Sequence, residues 1–206
     1  WADVRELLIT DYVTKTLPTT GNVTYRIRKP GSTTESFYVE NRGNGDKWAE
    51  YADDKGIMIW HIDESLEGNG NRDGTATHYG VALEQADGAN DLENGANRGD
   101  STDLFDLVFP LFSDTTSPNS KWWDGSDSSV RVKVLSNIGA TTRVQFGKLP
   151  ADTIILDTPN GGEVMYRQSK FTISWEANVV GNLKIELLKG GNPYITIAEN
   201  AENTGT

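Results

Sequence analysis

The chain has 206 residues, enough for one large domain or two small ones with a sizeable buried core. Its 19 Lys and Arg against 30 Asp and Glu leave a net charge of −11, and a surface that acidic repels phosphate backbones and anionic lipid, which argues against nucleic-acid binding. No apolar run approaches the roughly 18 residues of a spanning helix, so membrane insertion is not expected. The absence of Cys removes disulfides, thiolate metal sites and Cys nucleophiles.

In chain order, Ala2 to Val13 is the only helical candidate. After it the apolar period is 2 nearly everywhere, the period of half-buried strands. Val23-Thr24-Tyr25-Arg26-Ile27 alternates, and so does Phe37-Tyr38-Val39-Glu40. Gly56 to Ile62 is nearly all apolar, which predicts a central strand covered on both faces. Asp63 to Asp106 breaks the pattern with many Gly, Asn and acidic residues, interrupted by a short strand from Tyr79 to Gln85. Segments of that length without strong patterning are usually functional or disordered. Val130 to Val134 and Thr142 to Phe146 resume the alternation, and Pro150 then marks a boundary within Lys148–Asp152. Phe171 to Trp175 and Leu183 to Leu187 follow as strands. The last strand pattern stops near Ile197, and Ala198–Thr206 reads as a polar turn. Pro30-Gly31, Asn44-Gly45 and Gly190-Gly191 supply turns. The expected fold is all-β: a jelly-roll-like β-sandwich over residues 1–149 with long acidic loops, then a partial immunoglobulin-like β-sandwich over 150–206. The second segment is shorter than the roughly 100 residues of such a sandwich. The chain also opens on Trp1 rather than Met, so it reads as a fragment of a multidomain protein.

The acidic loops carry the best chemical signal. Calcium takes six to eight hard oxygen ligands from carboxylates, amides, backbone carbonyls and water, and Gly-rich turns let several of these converge. Asp63, Asp73, Asp87, Asp91, Asp100 and Asp103 are the candidate ligands of a structural Ca²⁺. Asn69-x-Asn71-x-Asp73-Gly74 has the 1, 3, 5, 6 spacing of an EF-hand loop. It departs from that loop in having Asn at position 1 and Gly80 at position 12, and no helices flank it. His61 and His78, with Asp63 or Glu84, supply zinc ligands on paper. However, His61-Ile62-Asp63-Glu64 is not H-E-x-x-H, and a core histidine bonded to a loop carboxylate is the expected role. No G-x-S-x-G elbow, P-loop or dinucleotide fingerprint occurs. Trp122 and Trp123, with Trp48 and Tyr51, are candidates for a sugar-stacking face. Adjacent residues on a strand point to opposite sides, so only one of Trp122 and Trp123 can join such a face.

Three runs in order carry a family resemblance: Phe37-Tyr38-Val39-Glu40-Asn41-Arg42, Gly56-Ile57-Met58-Ile59-Trp60-His61-Ile62-Asp63-Glu64 and His78-Tyr79-Gly80-Val81-Ala82-Leu83-Glu84-Gln85-Ala86-Asp87-Gly88. With Gly99-Asp100-Ser101-Thr102-Asp103-Leu104-Phe105, they resemble the region that follows the zinc catalytic domain in immune inhibitor A-type secreted metallopeptidases. The family's H-E-x-x-H does not occur here. The resemblance therefore implies a non-catalytic β-rich companion domain of a secreted, bacterial protein, and it strengthens the expectation of calcium. Thr158-Pro159-Asn160-Gly161-Gly162-Glu163, with Phe171 to Trp175 and Gly181 to Leu187, is similar to the opening of immunoglobulin-like modules of extracellular multidomain proteins. The implied function is an accessory region, not an enzyme. It would pack on or orient a catalytic domain of the same polypeptide and contact protein or polysaccharide substrate. A carbohydrate-binding module is the alternative, and a free-standing zinc hydrolase through His61 and His78 is the third reading.

Overall fold

The structure, a computed structural model, describes residues 3–44, 54–66, 78–159, 162–164, 166 and 168–204. The chain divides into two compact units, Trp1–Lys148 and Leu149–Thr206. The all-β expectation holds. The one α-helix among the described residues is the single turn α1 (Asp91–Asn94), and no helix there is long and apolar enough to cross a membrane.

The first unit is a sandwich of two sheets. Its five-stranded sheet has the order β1 (Asp3–Leu7), β3 (Val23–Arg28), β4 (Glu35–Arg42), β5 (Gly56–Asp63), β6 (Val81–Leu83). The four-stranded sheet has the order β2 (Val13–Pro18), β9 (Thr141–Phe146), β8 (Val132–Val134), β7 (Leu111–Phe112). Register aligns Tyr25 with Val39 and Val39 with Ile59, so the alternate apolar residues of three strands share one face. They meet Val132, Val134, Val144 and Phe146 of the facing sheet in one core. Gly56 begins β5 because a Cβ there would lie 2.5 Å from the Leu104 Cβ, where the 101–106 segment bridges to Ile57. Gly147 is fixed in the same way: its φ is +87°, and a Cβ would lie 1.8 Å from the Asp11 carbonyl oxygen.

The structure corrects the helical expectation for Ala2 to Val13. Asp3–Leu7 forms β1 and pairs parallel with β3, Asp3 opposite Val23 and Leu7 opposite Ile27. The edge of β3 offers ladder hydrogen bonds that outweigh the weak local helical preference. Leu8 to Asp11 then turns the chain, closed by the Leu8 N–H donating to Asp11 Oδ2 at 3.0 Å, and β2 begins at Val13.

In the second unit β10 (Ile154–Thr158) pairs antiparallel with β11 (Ser174–Ala177), and β12 (Leu183–Lys189) with β13 (Asn192–Ala201). Gly190 and Gly191, at φ +59° and +81°, form the two-residue turn between Lys189 and Asn192. β13 continues to Ala201, so the strand takes over four of the residues read as a polar turn. Trp175 is buried and its indole N–H donates to Asn203 Oδ1 at 2.9 Å. Leu156, Leu187 and Ile197 remain exposed around an apolar hollow of about 540 Å³ between the two strand pairs.

Candidate functional site

Two groups of chemistry-bearing side chains lie in the first unit. The first is built on β5. Alternation gives Ile57, Ile59 and His61 the core-facing side, and register sets Phe37 of β4 opposite His61. The two rings lie 4.2 Å apart, and Phe37 stacks on Trp122 at 5.0 Å. The Trp123 ring is nearly parallel to His61 at 4.2 Å, and His78 stacks on Trp123 at 4.6 Å.

Each imidazole in this stack is tied to carboxylates. His61, 1% exposed, has Nε2 at 3.1 Å from Glu35 Oε1 and Nδ1 at 3.4 Å from Glu84 Oε1. Glu35 also accepts the Trp123 backbone N–H at 2.7 Å and the Lys29 ammonium at 2.6 Å. His78 Nε2 lies 3.1 Å from Asp63 Oδ2. Burial pushes the Asp63 carboxyl up, but hydrogen bonds from Ser65, His78 and Thr34 outweigh it and hold the group down at about 2. The loop that carries Trp122 and Trp123 is fastened by Asp114. This carboxylate accepts the Ser128 and Ser129 N–H groups and the Ser120 and Ser128 hydroxyls at 2.9–3.1 Å. Burial raises the Asp114 carboxyl and those donors more than reverse it, so it sits below its ordinary value.

The second group lies on the acidic loops. Thr102 Oγ1 donates to Asp87 Oδ2 at 2.8 Å and reaches Asp100 Oδ1 at 2.6 Å. Asn97 Nδ2 bridges Asp91 Oδ2 at 3.2 Å and Asp100 Oδ2 at 2.9 Å. The Asp100 N–H donates to Asp103 Oδ2, and the Leu104 N–H to Asp54 Oδ2. No described Lys or Arg pairs with Asp54, Asp87, Asp100 or Asp103. Burial, only partly offset by the Asp100 N–H, raises the Asp103 carboxyl, and the charges of Asp100, Asp87 and Asp54 add to it. Burial likewise raises Asp54, reinforced by Asp106 and Asp100. Asp100 is lowered instead, by the Thr102 hydroxyl and N–H.

Of the six aspartates read as calcium ligands, the structure thus links Asp87, Asp91 and Asp100 through Thr102 and Asn97, and Asp103 through the Asp100 N–H. It gives Asp63 to His78, away from that network. Asp73 lies outside the described residues with Asn69, Asn71 and Gly74 of the EF-hand-like loop, as do Trp48 and Tyr51. Among the described residues no three His, Asp or Glu side chains converge as metal ligands. The donor set of the acidic loops fits Ca²⁺ in kind, being hard carboxylate, amide and hydroxyl oxygen. Trp122 is buried in the core, and two imidazoles occupy the Trp123 indole where a sugar ring would stack.

No family model, curated protein or solved structure matches the chain. The geometry alone therefore carries the site. Sequence reading missed Glu35, Lys29, Asp54, Asn97 and Thr102. Alternation with Phe37 could have placed Glu35 on the core side, and Asn97 and Thr102 sit among the acids they join.

Proposed function

We propose that residues 1–149 form a non-catalytic companion domain, stabilised by calcium, of a secreted bacterial metallopeptidase-like protein. The domain packs on or orients a catalytic domain of the same polypeptide, and the second unit is the start of an immunoglobulin-like module. One observation carries the calcium part. Asp54 and Asp103 are raised by burial and further by the charges of neighbouring acids, Asp100 and Asp87 among them, and no described Lys or Arg pairs with any of these four carboxylates. A hard divalent cation among their oxygens relieves that repulsion, and its binding energy adds to the folding energy. The accessory role is supported by the motif resemblance and by what the conspicuous polar residues do, since both histidines are engaged by carboxylates within the fold.

The test is a thermal melt of the full chain in EDTA, in Ca²⁺ and in Mg²⁺. At calcium about 100-fold above its Kd, linkage supplies about 2.7 kcal/mol. For a chain of this size that is about 5–10 °C in Tm. The expected result is a fall of that order in EDTA, restored by Ca²⁺ and not by Mg²⁺. A melt indifferent to chelation would refute the calcium claim.

A further inference from the structure

At its β6 border the five-stranded sheet of the first unit has a hollow on each face. On the outer face, Trp60 and Val81 with Leu92 of α1 line an apolar hollow of about 320 Å³. On the core-facing side, Glu84 lines an open cleft of about 590 Å³ with His78, Asn119 and Trp123. The hollows share Tyr79, Leu83 and Glu93, so they form one groove that wraps the border. Register explains the division. Trp60 pairs with Leu83 on the outer side, whereas His61 pairs with Ala82 on the side facing Trp123.

The two halves differ in chemistry. Val81 is 43% exposed in the outer half. In the inner half, the Glu84 carboxylate lies by the His61 ring and Glu93 accepts the Gln85 amide. No described Lys or Arg pairs with either carboxylate, and Lys121, the one Lys or Arg among the described residues of the wall, is held by Asp127 at 2.7 Å. The inner half therefore presents negative charge beside an aromatic wall, which suits an ammonium or guanidinium on an aliphatic stem. Successive residues of an extended chain point to opposite sides. A strand laid along this border places one side chain in the apolar hollow and the next beside Glu84.

We propose that this groove binds an extended peptide segment in which an apolar residue adjoins a Lys or Arg. The inference goes beyond the accessory role and does not depend on calcium.

The probe is fluorescein-labelled Ser-Gly-Leu-Arg-Gly-Ser, titrated with the full chain by fluorescence anisotropy. Peptides with Leu→Ser or Arg→Glu serve as controls. The Leu-Arg peptide is expected to bind at least about tenfold more tightly than either control. A loss of similar size is expected in Glu84→Gln, and a smaller one in Glu93→Gln and Leu92→Ser. The latter two lie on the exposed turn of α1 and report on the groove even if Glu84→Gln disturbs His61. Equal binding of the Leu-Arg and Leu-Glu peptides, or parental affinity in all three variants, would overturn the proposal. So would finding, in place of peptide binding, a dimer by sedimentation or retention on a polysaccharide that Glu84→Gln abolishes. Calcium-dependent melting of Glu84→Gln separates this outcome from failure of the companion-domain reading.

Discussion

The first unit holds carboxylates in two contrasting ways. Around β5 and the Trp122-Trp123 loop, the chain supplies its own partners: Lys29 and His61 for Glu35, His78 for Asp63, and four Ser donors for Asp114. There Asp63 and Asp114 stay below their ordinary carboxyl values. On the acidic loops, Asp54 and Asp103 receive single or paired N–H groups but no described cation, and both are raised. Burial opposes ionisation in both regions, so it does not separate them. Compensation does: one region is neutralised by side chains of the fold, while the other keeps a deficit that an external cation can fill.

The largest expected effect comes from breaking the compensated region at its centre. Glu35→Ala leaves Lys29 and His61 without their shared carboxylate in a buried site. A buried pair that loses one partner costs about 3–5 kcal/mol. Denaturant unfolding followed by Trp fluorescence would read this loss, and a change within error would mean that Glu35 does not organise the stack. Asp114→Asn removes acceptor capacity from a loop clasp made mainly of Ser N–H and hydroxyl donors, with the exposed Lys148 ammonium at 3.5 Å, and about 1–3 kcal/mol is expected. It should also alter the Trp fluorescence of the loop. Thermal melts with emission spectra would check both.

The acid limb of stability sharpens the contrast because Asp63 in one region and Asp54 and Asp103 in the other have opposite signs, Asp100 being held down by Thr102. Asp63 is ionised more readily in the folded state. Its contribution is fully present above the unfolded carboxyl value, near 4. It is lost as pH falls toward about 2. Asp103 and Asp54 are raised in the folded state, so their ionisation costs stability at neutral pH, and that cost is relieved as pH falls through their folded values. Asp63→Asn should therefore flatten the acid loss in a pH series of melts, whereas Asp103→Asn in EDTA should raise Tm at pH 7 and leave it unchanged near pH 3. The opposite pattern would show that the regions are not distinct. The smallest effect is expected at the surface: Lys184, which faces Glu186 and Glu199 in solvent, should tolerate Ala with no measurable change in Tm.

Much of this fold was legible because strands write their burial into alternate residues. Val23 to Ile27, Phe37 to Glu40 and Thr142 to Phe146 all became strands. β1 was not legible, since its pairing comes from the edge of β3 and not from its own pattern. The site divides in the same way. The acids of the long loops announced themselves by composition, and the residues joining four of them lie within that segment. The Glu35–His61–Glu84 chain was hidden because it depends on register across β4, β5 and the end of β6. Asp63 looked like one more loop acid until the fold brought His78 to it.

Calcium binding to the uncompensated region is the central claim, and isothermal titration of the chelator-stripped chain tests it most directly. The account predicts saturable Ca²⁺ binding that Asp100→Asn combined with Asp103→Asn weakens at least about tenfold, or about 1.4 kcal/mol, and that Asp114→Asn leaves unchanged. Absence of binding by the parent chain, or equal binding by all three proteins, would contradict it.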